Sequence, residues 1–340
     1  MKKSLPVLAA AFAMAMTSAS AFAKSTHLTI ANTTQADTPM SQTMIAFQER
    51  AQELSDGAIT VQTSFGGALG NDTQLLQKAQ IGSQVQAAQT SGANLGTVVD
   101  AFKAFDVPFL LNGPEQSIEL LYQDGRLSGE IADQLQGFLG EKNLRLLYAT
   151  PFEFRGILSN GKNVRTADDV KGMKFRVTPN PVERGIVESW GAAGTTMGIS
   201  EVYTSLQTGI VDGLAIPPVT AQAFALNEVA KVFNNLNFQA HPTFVVINKR
   251  YWDRLSAEQQ EILQQAADDA VMQTKQAHYD AIELAFAAFG ENGAEVIQPT
   301  AEELNSFRRA AIEAAEPLAT RGLNKDELAF IELIKTAAAE

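Results

Sequence analysis

From Ser256 to Phe289 the chain runs 34 residues without a glycine or a proline. Ile262, Leu263, Ala266, Ala267, Ala270 and Val271 recur there at helical spacing, and Ser256 with Gln259 fits a capping box. A helix of that length measures roughly 50 Å at ~1.5 Å per residue, more than the diameter of a small domain. It must either protrude or run along two lobes. A soluble single protein favours the second.

The rest of the sequence supplies material for the lobes. Strand-like segments at 27–32, 58–64 and 84–91 are interleaved with helix-like ones. Met40, Met44, Phe47, Ala51 and Leu54 keep helical spacing behind Thr38-Pro39, and Leu75, Leu76 and Ala79 do so before Gly82. The middle repeats the theme, with strands at 143–150, 154–160, 173–178 and 211–216, helices over 181–190, 200–207 and 220–231, and an extended run at 244–248. Strands alternating with helices predict an α/β fold of parallel sheets covered by helices on both faces. With no flexible linker in the sequence, the two lobes must share several short crossings. That is a hinge with a central cleft, the usual place for a small ligand.

The first 23 residues stand apart. Lys2 and Lys3, an apolar run from Leu5 to Met16 and Ala21-Phe22-Ala23 before Lys24 have the layout of a cleaved signal peptide. The apolar run is shorter than the ~20 residues that span a bilayer, and no later segment reaches 18 uninterrupted apolar residues. The chain is therefore expected to be exported and soluble. It has no cysteine, which excludes disulfides and thiolate zinc sites, so an exported chain of this kind must rely on a hydrophobic core. The formal charge of −12 argues against nucleic acid and anionic lipid as partners. It leaves room for a small anion in a local basic pocket.

Catalytic patterns are sparse. His27, His241 and His278 have no metal-ligand spacing, and neither HExxH nor GxSxG occurs. His27 is expected on the surface, His241 before Pro242 in a structural role, and His278 solvated on the long helix. No cofactor motif is present: Gly66, Gly67 and Gly70 lack the Lys and spacing of a phosphate loop. They read equally as a turn or as a loop whose N–H groups approach a ligand. Asp168-Asp169 reads as a helix start. The arginines say more. In KGMKFRVTPNP (171–181), Met173, Phe175 and Val177 alternate with Lys174, Arg176 and Thr178, which puts Arg176 on the polar face one step before a Pro-Asn-Pro break. Arg155 sits in the apolar strand FRGILSN. Each could be a solvated or salt-bridged strand charge. Two such strands could also clamp a carboxylate between planar guanidinium forks.

Residues 171–218 resemble the solute-binding subunits of TRAP transporters, the DctP-like family. DDVKGMKFRV and WGAAGTTMGISEVYTSLQTGIVDG carry the likeness, with LGNDTQLLQKAQIGS, AFDVPFLL and FVVINKRYWDRLSAEQQEIL outside that block. The resemblance implies a periplasmic receptor of the two-lobe, type II-like binding-protein fold, with a hinge, a central cleft and a long helix spanning both lobes. It implies capture of an organic acid for a sodium-coupled permease of a small and a large membrane subunit. It places the family's carboxylate-clamping arginine at Arg176 and a second at Arg155. The lobes are expected at 24–151 plus 239–278 and at 152–238 plus 279–340.

Two positions depart from the family pattern. Ile216 stands where a polar Asn often contacts ligand, and Ile199 where an aromatic often packs on it. Both make the pocket more apolar and point to a 2-oxo or hydroxy monocarboxylate with an apolar tail. Ligands in open α/β sheets sit beyond the carboxyl ends of strands, which adds Thr33 and Thr34, Phe65, and Thr90 and Ser91. No cofactor or metal is expected. Competing readings are a periplasmic ligand sensor, a sulfonate binder and an exported enzyme acting on a carboxylate.

Overall fold

The computed structural model describes residues 26–339; the leader expected over 1–23 lies outside them. In chain order the strands are β1 Thr26–Ala31, β2 Ile59–Ser64, β3 Ala87–Ser91, β4 Tyr122–Gln123, β5 Arg126–Leu127, β6 Leu144–Ala149, β7 Glu153–Ser159, β8 Lys174–Val177, β9 Ala193–Thr196, β10 Gly213–Ile216, β11 Val232–His241, β12 Thr243–Asn248 and β13 Glu295–Ile297. One sheet has the order β2-β1-β3-β12-β6 and the other β13-β11-β7-β10-β8-β9, with β4 and β5 forming a separate hairpin.

The sheets are mixed, not wholly parallel as the alternation of elements predicts. β1 runs parallel to β2 and β3, but β12 is antiparallel to both β3 and β6. In the second sheet β8 runs parallel to β9 and β10, while β7 is antiparallel to β10 and β11. The cause is the route between sheets. The chain leaves β6 for β7 through residues 150–152 and returns from β11 to β12 through Pro242. A strand that arrives by so short a crossing has no helix to bring it back parallel.

The long helix, Ala257–Glu291, has 35 residues. Its capping box forms as the sequence indicates: Gln259 N donates to Ser256 Oγ at 3.2 Å, and Ser256 N donates to Gln259 Oε1 at 3.0 Å. Leu263, Ala266, Ala270 and Val271 pack into the core of the first sheet. Ala285 joins Met40 and Val219, and Phe289 packs with Leu158 and Phe233 of the second sheet. The helix therefore runs along both lobes. Among the described residues no helix is long and apolar enough to cross a membrane.

Three local expectations change. The helix expected over 220–231 is shorter, Pro218–Ala223, because Ala225 takes a left-handed φ of 55° before a 3-10 turn at Leu226–Glu228. His278 is buried, not solvated: the long helix lies against the helix Pro39–Leu54, where Thr43 Oγ1 meets His278 Nε2 at 3.0 Å. Residues 279–340, expected together in the second lobe, divide. The helix Ala301–Ala319 buries Phe307, Ala311 and Ala315 in a core of the second sheet. The last helix, Lys325–Ala339, buries Phe330, Ile331 and Ile334 in the core of the first, where Phe330 meets Phe105 and Phe138 edge to face.

Candidate functional site

A cavity opens between the two sheets, lined by residues of both, the usual setting of a small-ligand site. The first sheet contributes Asn32, Thr33 and Thr34 from beyond β1 and Gln89, Thr90 and Ser91 from the end of β3. The second contributes Arg155 of β7, Arg176 of β8 and Ile216 at the end of β10, with Ile199 beyond β9. Arg155, Arg176, Ile199, Ile216, Thr33 and Ser91 thus come together around one space. Phe65 is not among the lining residues; it packs against the core of the first sheet.

The glycine cluster supports the site from behind. Gly66, with φ 64°, donates its N–H to Thr34 O at 2.8 Å, and Gly67, with φ 70°, donates to Asn32 O at 3.0 Å. Left-handed backbone at both positions favours glycine. The loop holds the lining segment 32–34 in place and is not itself among the lining residues.

Both arginines are buried, at 3% exposure for Arg155 and 6% for Arg176. A buried guanidinium must be paired or hydrogen-bonded, and the two differ in how far that need is met. Arg155 Nη1 donates to Ala215 O at 2.7 Å and lies 3.5 Å from Glu183 Oε1. Glu183 also accepts from Thr178 N and Thr178 Oγ1. It is fixed by Asn180, which caps the helix Pro181–Ser189 by accepting from Val182 N and Glu183 N. Arg176 donates Nε to Met197 O at 3.1 Å. Among the described residues its terminal nitrogens have no hydrogen-bond partner and it forms no ion pair. Burial lowers its pKa; the charge of Glu183 opposes that shift, Arg155 adds to it, and Asp72 opposes it. An anion lying on both guanidinium groups would supply the missing partner and relieve their repulsion.

Several lining residues were not singled out from the sequence. Asp72, first residue of the helix Asp72–Ile81, accepts from Thr33 Oγ1 at 3.2 Å, and burial raises its pKa. His241, assigned a structural role by its position before Pro242, lines the cavity. Burial, then Arg155 and Arg176, hold its pKa well below the usual histidine range. Phe224 and Met40 add apolar surface beside Ile199 and Ile216. Thr220 also lines the cavity, and its N–H and hydroxyl both donate to Glu153 at the start of β7. Burial pushes the Glu153 carboxyl up to about 7. Strand-end reasoning reaches none of these positions; a signal for His241 and Phe224 exists only once the chain's path between the lobes is known.

The family model for bacterial extracellular solute-binding protein, family 7 (DctP) matches residues 30–320. The C4-dicarboxylate-binding periplasmic protein DctP of Rhodobacter capsulatus is 29% identical over 306 residues, covering 89% of this chain and 88% of that one. The ectoine/5-hydroxyectoine-binding periplasmic protein UehA of Ruegeria pomeroyi is 28% identical over 271 residues, 78% and 77% of the two chains. A TRAP periplasmic solute-binding protein from Sulfitobacter sp., solved with bound β-D-galacturonate, superposes with a TM-score of 0.83 at 26% identity, covering 91% of this chain and 99% of that chain. The sugar acid binding protein DctPAm from Advenella mimigardefordensis, in complex with galactonate, gives 0.85 at 26% identity, covering 93% and 98%.

Proposed function

The chain belongs to the DctP family of bacterial extracellular solute-binding proteins, the TRAP type, and from that premise we propose that it captures an organic acid anion in the periplasm and delivers it to a sodium-coupled membrane permease. The leader 1–23 would be removed on export. The observation that carries the reading is the pair of buried arginines on β7 and β8, of which Arg176 has terminal nitrogens without a partner among the described residues. A carboxylate offers two oxygens to such a fork. Ligand bridging the two walls shifts the population toward the closed form, and exclusion of water strengthens the ion pairs. This is a binding role at a solute-binding family's site, with no chemical step.

The finer reading is a hydroxy or 2-oxo monocarboxylate with an apolar portion. Its support is the apolar surface of Ile199, Ile216, Met40 and Phe224 on the cavity. Two of the solved relatives hold galacturonate and galactonate, so hydroxylated sugar acids belong in any test.

That test is thermal melting of residues 24–340 with a panel of monocarboxylates, dicarboxylates, sugar acids and sulfonates, beside Arg176→Ala. A ligand at 100 times its Kd adds ~2.7 kcal/mol of stability, a shift of several degrees. The expected result is a shift with one carboxylate class that Arg176→Ala abolishes. A shift that survives Arg176→Ala would remove that residue from the site. Response to sugar acids alone would overturn the apolar portion and leave the capture role standing.

A further inference from the structure

The two walls of the cavity are chemically different. The second-sheet wall presents hydrogen-bond donors, the unpartnered nitrogens of Arg176 first among them. The first-sheet wall presents buried oxygen atoms that, among the described residues, have no partner. Asn32 Nδ2 is committed to Thr34 Oγ1 and Ser41 Oγ, both at 2.9 Å. Asn32 Oδ1 is left buried with no partner. Gln89 Oε1 and Thr90 Oγ1, at the end of β3, are also buried and unpartnered. His241 Nδ1, at the end of β11 on the second-sheet side, is a fourth. The amide oxygens can only accept. His241 is held neutral by burial and by the two guanidinium groups, so one ring nitrogen accepts and the other donates. Native interiors leave few such atoms unpaired, and these four all belong to residues lining one cavity.

We propose that the receptor selects hydroxy acids over oxo acids of the same carbon skeleton, with the carboxylate on Arg176 and Arg155 and the hydroxyl hydrogens read by Asn32, Gln89, Thr90 and His241. This rests on the carboxylate reading above and narrows it. A hydroxyl brings the donor that the amide oxygens of Asn32 and Gln89 lack, and it pairs with Thr90 Oγ1 in either direction. An oxo group can accept from Thr90 but sets its lone pairs against the two amide oxygens and leaves them buried and unsatisfied. The same placement couples binding to closure, because a ligand whose carboxylate lies on Arg176 and Arg155 and whose hydroxyl meets Asn32 and Gln89 spans both walls.

Isothermal titration of residues 24–340 with matched pairs tests this: lactate and pyruvate, 3-hydroxybutyrate and acetoacetate, mandelate and phenylglyoxylate, gluconate and 2-oxogluconate. The tightest ligand should be a hydroxy acid, with its oxo partner about 10- to 100-fold weaker for each acceptor left unpaired. Gln89→Leu should narrow that gap, and the near-isosteric Thr90→Val should leave it. Oxo partners binding as tightly as hydroxy acids, or a gap unchanged in Gln89→Leu, would overturn the selectivity while leaving carboxylate capture intact. Absence of binding by all eight compounds, with melting showing a folded chain, would overturn the selectivity, and failure of dicarboxylates and uronates as well would overturn the carboxylate reading with it.

Discussion

Arg176 and Arg155 differ in what their loss would do. Removing Arg155 strands a buried carboxylate, Glu183, whereas Arg176 has no such partner to strand, so Arg176→Ala is the cleaner probe of binding. The sequence made both legible because an apolar strand that carries a guanidinium must account for it. Asn32, Gln89 and Asp72 gave no such sign: short polar residues are common at turns, and only the folded chain brings these to one cavity. His278 misled for a related reason, since the helix pattern shows spacing but not the neighbour that covers that turn. Its burial pushes its pKa from 6.5 down to about 4. The folded state thus favours the neutral ring, and stability from this group is present above pH 6.5 and lost as pH falls through about 4. That amounts to about 3 kcal/mol at roughly 1.4 kcal/mol per pKa unit. In urea unfolding at stepped pH, His278→Gln should lack this part of the acid loss. An unchanged acid limb would show that His278 titrates normally.

Among the elements, β1, β2, β3, β6, β7, β8, β10, β12 and the long helix followed from alternation, spacing and caps, whereas β4, β5, β9, β11 and β13 and the direction of the strands did not. β7 and β12 read as ordinary apolar runs, and nothing local states that their neighbours run the other way. The last helix was assigned to the second lobe because its apolar residues fit either lobe until Phe105 and Phe138 are seen to receive Phe330. β7 is the element with least tolerance. A Cβ on Gly156 would lie 2.4 Å from Asn234 O, a backbone atom of the paired β11, and 2.7 Å from Phe233. Gly156→Ala is expected to destabilise by ~1–3 kcal/mol or more. Because Arg155 is the adjacent residue, it should also weaken ligand binding. Denaturant midpoints with titration measure both, and an unchanged midpoint would show that the sheet can open there at no cost.

The whole molecule is held across the lobes by buried polar contacts as well as by chain crossings. Asp106, beside the core of the first sheet, accepts from Asn180 Nδ2 at 2.6 Å, and Asn180 caps the helix that carries Glu183. Burial pushes the Asp106 carboxyl up from 3.8 to about 7. The folded state therefore keeps a proton that the unfolded chain has released. The associated stability is complete below pH 3.8 and is lost as pH rises through about 7. Asp106→Asn keeps the shape without the titration. Melting curves across that range should move in favour of the variant as pH rises, with Glu153 supplying a similar loss in both proteins. A constant difference between the two would place Asp106 in an ordinary carboxylate environment.

The long helix has a mechanical consequence. A rod gripped at both ends lets its ends turn relative to each other only by bending along its length. Helices curve smoothly at radii of ~60–100 Å, so one roughly 50 Å long can absorb a turn of roughly 30° with its hydrogen bonds intact. It would then behave as a leaf spring: closing the cleft loads it, and the stored curvature supplies a restoring torque that parts the lobes when the cargo leaves.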